Sequence, residues 1–173
     1  AFPAAKFVAL PSTVAAIQRT WQAKVKQWGP MYGILLPSQP VLPVAVTGTT
    51  LTLEGHALEL RGPVQGDEEG NTYVWIPSIK TAIVGDIAYR GVHAWTAETN
   101  AAGRAAWKRT LAEIAALRPT TVVAGHKDPK LADDARVLDA PRIDLDAFDA
   151  AVASSKTAAE VVTKVKAKYP DAQ

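Results

Sequence analysis

The sequence predicts an α/β protein in which helices pack on a mixed sheet, and three observations carry that prediction. Apolar residues recur every three or four positions at Val14, Ile17, Trp21, Val25 and Trp28, and again at Trp107, Leu111, Ile114 and Leu117, which marks two amphipathic helices. Between them the period falls to two: Leu51 and Leu53 alternate with threonines, and Leu58 and Leu60 flank Glu59. The resulting order is strand and helix, then hairpins, then helix, strand and helices, as expected of a layered mixed sheet. At 173 residues the chain is expected to form a single domain, 1–173.

Residues 6–10 (KFVAL) read as a short buried strand ended by Pro11. Ser12 offers a hydroxyl cap to the first helix, and Gly29-Pro30 is expected to stop it. Residues 29–46 contain Pro30, Pro37, Pro40 and Pro43 and show no clear period, so they read as an ordered, extended crossover. Residues 51–53 and 56–61 form a hairpin about Glu54-Gly55, with Leu58 and Leu60 on the buried face and Gly62-Pro63 at its end. Residues 72–76 (TYVWI) and 81–84 (TAIV) form a second hairpin about Pro77, and its second strand runs into Gly85-Asp86.

A helix starts near Asn100 and closes at Arg118-Pro119. Residues 120–124 (TTVVA) are a buried strand that ends in Gly125-His126. In the tail, Phe148 and Val152 belong to one helical segment. Thr157 and Glu160 form a capping box that opens the last helix, whose apolar face is Val161, Val162, Val165 and Tyr169. Lys156, Lys164, Lys166 and Lys168 surround that stripe as a solvated face.

Composition excludes several classes. Nineteen Lys and Arg against seventeen Asp and Glu leave a formal charge of +2, so no dense basic surface for nucleic acid is expected. No apolar run approaches the roughly 18 residues of a bilayer span, so no membrane partner is expected. The absence of cysteine excludes disulfides, Cys-ligated zinc, iron–sulfur clusters and thiol catalysis. It suits cytoplasm and periplasm equally. With 48% hydrophobic and 21% charged residues, the composition is that of a folded globular chain. The chain starts at Ala1 without an initiator Met or leader pattern, so it is expected to be processed or a piece of something longer.

Two strands end alike, in Val84-Gly85-Asp86 and in Ala124-Gly125-His126. A Gly before a polar residue lets the backbone turn sharply and presents the side chain at the sheet's edge, where sites of α/β proteins collect. A carboxylate and a neutral imidazole are both good ligands for Zn²⁺-like ions. The alternative is a pair of ordinary strand-to-loop turns.

The arrangement around these residues resembles the C-terminal half of the metallo-β-lactamase-fold hydrolases. In that family a strand ends in Gly-His-Thr, a hairpin with a Pro turn leads to a strand ending in Gly-Asp, and a later strand ends in Gly-His. Here Gly66-Asp67 is followed by the Pro77 hairpin, Gly85-Asp86, a helix and Gly125-His126. The resemblance implies an α/β, αββα metallo-β-lactamase-like sandwich that is N-terminally incomplete. It implies that Asp86 bridges two zinc ions, that His126 binds one, and that Asp67 stands where the family has a histidine ligand.

The family's first signature, His-x-His-x-Asp-His, is missing: the only histidines are His56, His93 and His126, and no two lie within five residues. The expected function is therefore a metal-dependent hydrolase acting on a small-molecule substrate, with an incomplete dinuclear site and little activity by itself. The alternative is a non-catalytic binding or assembly protein on the same fold with a degraded metal site. Missing strands would leave open edges and apolar faces, so a homo-oligomer is expected. Tyr89 and His93 are candidates for orienting substrate, because they follow Asp86 in a loop expected beside the ions. Lys127 is a candidate for pairing with acidic substrate groups. His56 reads as structural, and Glu98 as a cap for the next helix.

Overall fold

The protein is described here by a computed structural model covering residues 4–170 and 172. Contacts group the chain into two compact units that meet at Thr49 and Thr50.

In the first unit, β1 (Val8–Ala9) pairs in parallel with β2 (Val44–Ala45). The strand expected over residues 6–10 is thus confined to two residues. Between these strands runs α1 (Pro11–Tyr32). Pro11 occupies the first turn, where its missing N–H costs nothing, and Leu10 takes the extended cap position, so Ser12 lies inside the helix instead of capping it. Gly29-Pro30 does not stop α1, contrary to expectation. Pro30 sits in the last turn and forfeits only one hydrogen bond there, and the helix closes through Gly33 N–H to the Gly29 carbonyl. The expected crossover therefore begins after Tyr32, with a single 3₁₀ turn at Gly33–Leu35.

The second unit holds a five-stranded sheet in the order β3 (Thr50–Leu53), β4 (His56–Gln65), β5 (Glu69–Ile76), β6 (Thr81–Arg90), β7 (Thr121–Lys127). Neighbours are antiparallel as far as β6. β7 lies parallel to β6 because α2 (Ala101–Ala116) carries the chain back across the sheet. Three strands run past their expected C-terminal ends. Gly62-Pro63 does not end β4; the two residues are absorbed as a break in register between Arg61 and Val64. Gly85-Asp86 does not end β6, which continues to Arg90, and Gly125-His126 does not end β7, which continues to Lys127. Beyond Gly85 the pairing resumes at Tyr89↔His126 and Arg90↔Lys127.

Residues directly opposite one another share a face of the sheet. Trp75, Ala82 and Val122 are in register and form one core with Trp107, Leu111 and Ile114 of α2 and Val137, Leu138 and Leu145 of α3 (Arg136–Ala153). This helix-covered face also carries Glu59, opposite Trp75, which corrects the expected orientation of β4. Leu60 instead lies with Val74, Ile83 and Val123 on the other face, and there Ile83 is 41% exposed.

Polar groups lock the helices in place. The Trp107 indole donates to the Ile87 carbonyl at 2.7 Å. Asn100, and not Glu98, caps α2, accepting from Gly103 N–H at 2.9 Å. Arg104 of α2 is buried against Asp149 of α3 at 2.6 Å, with its guanidinium over the Phe148 ring. Thr157 caps α4 (Ala158–Lys168) as expected, and the Glu160 carboxylate reaches back to the Lys156 N–H at 2.8 Å.

Candidate functional site

The two glycines that precede the site do different work. Gly85 adopts φ +51, a left-handed conformation that side chains resist, and so redirects β6 just before Asp86. Gly125 has ordinary backbone angles, but a Cβ there would run into the Asp86 Oδ1 and lie 2.8 Å from the Gly85 carbonyl carbon. The bend at Gly85 and the bare backbone at Gly125 together let Asp86 lean over β7.

Asp86 and His126 consequently meet. Asp86 Oδ1 lies 3.3 Å from His126 Nε2, with the two side chains 48% and 57% exposed. The His126 ring stacks on Tyr89, centroids 5.1 Å apart and planes 14° from parallel, as their pairing across the two strands requires. Tyr89 is itself buried, and its ring meets Trp107 edge-on at 6.1 Å. The core thus supports the imidazole from below.

Asp67 joins this group through Tyr89. It lies between β4 and β5, where its Oδ2 accepts from the Tyr89 hydroxyl at 3.0 Å and its Oδ1 accepts from the Asn71 amide at 3.0 Å. Burial raises the Asp67 carboxyl above its ordinary range, and the charge of Asp86 adds to this, against the two donors. The Tyr89 hydroxyl is pushed far up by burial and then by the Asp67 and Asp86 charges, so it remains a proton donor. The Trp95 backbone acts on the same hydroxyl and opposes this rise. Asn71 escaped the sequence reading. A short amide four residues after an acidic turn residue was the available signal.

The remaining candidates take other roles. Tyr89 does not offer a free hydroxyl to a substrate, because that group is committed to Asp67. His93 lines a cleft against Asp144 and Tyr169. Lys127 hydrogen-bonds the Leu131 carbonyl and pairs with Asp133 at 3.3 Å, so it serves its own loop. His56 is exposed opposite Leu53 at the β3–β4 turn.

Protein zinc centres take three or four protein ligands. Here two donors touch, while both oxygens of the third are held by Asn71 and Tyr89. Among the described residues, no group of three or more His, Asp or Glu side chains converges as an ion would need. These residues do not by themselves fit a complete zinc centre.

No protein-family model and no curated protein matches this chain. Solved structures do. A metallo-β-lactamase family protein from Thermus thermophilus matches at a TM-score of 0.62 and 18% identity over 93% of this chain and 60% of its own. The DIM-1 metallo-β-lactamase matches at 0.56 and 17%, over 80% and 55% respectively. A metallo-β-lactamase from Pontibacter korlensis matches at 0.52 and 19%, over 76% and 61%. The chain has the metallo-β-lactamase fold, and it spans 55–61% of the length of these structures.

Proposed function

We propose that this chain contributes the C-terminal part of a metal-dependent hydrolase centre, and that by itself it holds a divalent ion weakly and hydrolyses little. The observation that carries the reading is the 3.3 Å approach of Asp86 to His126 at adjoining parallel strands. A carboxylate and an imidazole that face solvent together are a metal-ligating pair in search of further ligands. When bound, zinc would supply an activated water and polarise the scissile bond of a small-molecule substrate. The protein's own residues hold the donors: Tyr89 backs the His126 ring, and the Gly85 bend aims Asp86. A His-x-His-x-Asp-His segment, absent from this sequence, would supply the remaining ligands.

The engagement of both Asp67 oxygens favours a second reading. A position that hydrogen-bonds internally in place of presenting a free donor suits a non-catalytic binding or assembly protein. Zinc titration into the intact chain by calorimetry separates the readings. The hydrolase reading expects a dissociation constant weaker than about micromolar, with binding lost in both Asp86→Asn and His126→Ala. Tight stoichiometric binding would overturn the incompleteness of the centre. Binding that is absent, or equal in both variants, would overturn the metal assignment and leave the second reading.

We propose further that the chain self-associates, since Ile34, Leu35 and Val44 stand largely in solvent. A monomer by light scattering at high concentration would refute this.

A further inference from the structure

The apolar stripe of α4 does not close onto a core. None of its residues is buried. Val161 and Val165 instead wall a cleft of about 230 Å³, faced by Leu145 and Phe148 of α3 and by the loop after β6 at His93. A dry cavity of about 150 Å³ accommodates benzene, so this cleft has room for one ring and a short chain. It is apolar along its walls and polar at one end.

The polar end is formed by Asp144, Tyr169 and His93, which also border a second cleft beside α3. Asp144 is half-buried and, among the described residues, makes no salt bridge; beside it the Tyr169 hydroxyl donates to the Ile143 carbonyl at 3.3 Å and also acts on the Asp144 carboxylate. Burial holds the Asp144 carboxyl above its usual range, against the Tyr169 hydroxyl and the nearby charges of His93 and Lys168. Tyr169 also accepts a cation on its face: Lys168 Nζ lies 5.8 Å from the ring centroid. Lys166 borders the cleft, but it is exposed and stays solvated.

From this placement we infer that the cleft between α3, α4 and the His93 loop is a binding site for a small organic ammonium ion with an aryl or alkyl body. The ammonium group hydrogen-bonds the Asp144 carboxylate beside Tyr169, and the apolar body lies along Leu145, Phe148, Val161 and Val165. A half-buried carboxylate with aromatic neighbours favours a cation over a neutral or anionic head. The site shares no residue with the Asp86–His126 pair, so it stands independently of the function proposed above.

Three compounds of matched size test it by calorimetry or ligand-observed NMR on the intact chain: 2-phenylethylamine, 2-phenylethanol and 3-phenylpropionate. The amine is expected to bind at least about tenfold more tightly than the alcohol, with the carboxylate weakest. Asp144→Asn should remove the amine's advantage. Because that substitution is nearly isosteric, its thermal unfolding should match the parent, and Val161→Gln should weaken amine and alcohol alike. An amine that fails to bind, that binds Asp144→Asn equally well, or that is outcompeted by the carboxylate overturns the assignment.

Discussion

Helices α1 and α2 both announce themselves in the sequence by an apolar stripe, and their surroundings treat those stripes differently. In α2, Trp107, Leu111 and Ile114 are wholly excluded from solvent, and Trp107 also donates to Ile87. In α1 no residue is buried, and Val14, Ile17, Trp21, Val25 and Trp28 are all only half-covered. The difference lies in what each unit offers. Around α2 stand a five-stranded sheet and α3; the first unit supplies two strands of two residues each. A stripe therefore specifies that a helix forms and which side is apolar, while the area buried depends on the partner.

The largest expected effect sharpens this contrast. Trp107→Ala should cost about 3–5 kcal/mol, because it empties a packed site and leaves the Ile87 carbonyl without its donor. Trp21→Ala should cost about 1 kcal/mol or less, as expected of a partly exposed side chain. Urea denaturation of both variants checks the pair. Equal losses would mean that α1 is held as firmly as α2.

A similar contrast holds within the site. Gly125→Ala should destabilise by about 1–3 kcal/mol, since a Cβ there meets backbone and carboxylate of the adjoining strand, and such overpacking is costly. It should also drive Asp86 from His126, visible as a changed His126 ring environment by NMR. Asn100→Ala should cost about 1 kcal/mol through loss of the α2 cap, while Glu98→Ala should be silent. If Glu98→Ala proved the costlier, the assignment of the cap would fail.

What the sequence revealed follows the same division between local and distant causes. The hairpin turns, α2, the Thr157 cap and the positions of Asp86 and His126 were legible because each rests on a local rule: period, cap chemistry, or glycine before a polar residue. The reach of β6 and β7 beyond their glycines was not legible. Those extensions depend on Tyr89 and Arg90 pairing with His126 and Lys127, a contact between residues nearly forty positions apart. The facing of β4 was lost for a related reason. An alternation of leucine with charged residues names two faces, but Glu59 lies on the helix-covered side only because Trp75 pairs beside it. At the site, three candidate donors were named from order alone. That Tyr89 and Asn71 would occupy both oxygens of Asp67 required knowing how two loops and a strand come together.

The smallest effect concerns the loop that follows β7. Asp134 accepts from the Arg136 backbone at 2.9 Å and pairs with the Arg136 and Arg90 guanidinium groups, so it joins the start of α3 to the end of β6. Hydrogen bonding from Arg136 lowers its carboxyl to about 2, against the desolvation that opposes it. A carboxyl lowered in the folded state stabilises while ionised. Its contribution is therefore fully present above the ordinary aspartate range and disappears as pH falls through about 2. Asp134→Asn should lower the urea midpoint slightly at pH 6, and the gap from the parent should close as the pH approaches 2. Since every other carboxylate titrates identically in both proteins, the closing gap isolates this one group. A gap that stays constant with pH would show that the side chain acts through its hydrogen-bond geometry alone and not through its charge.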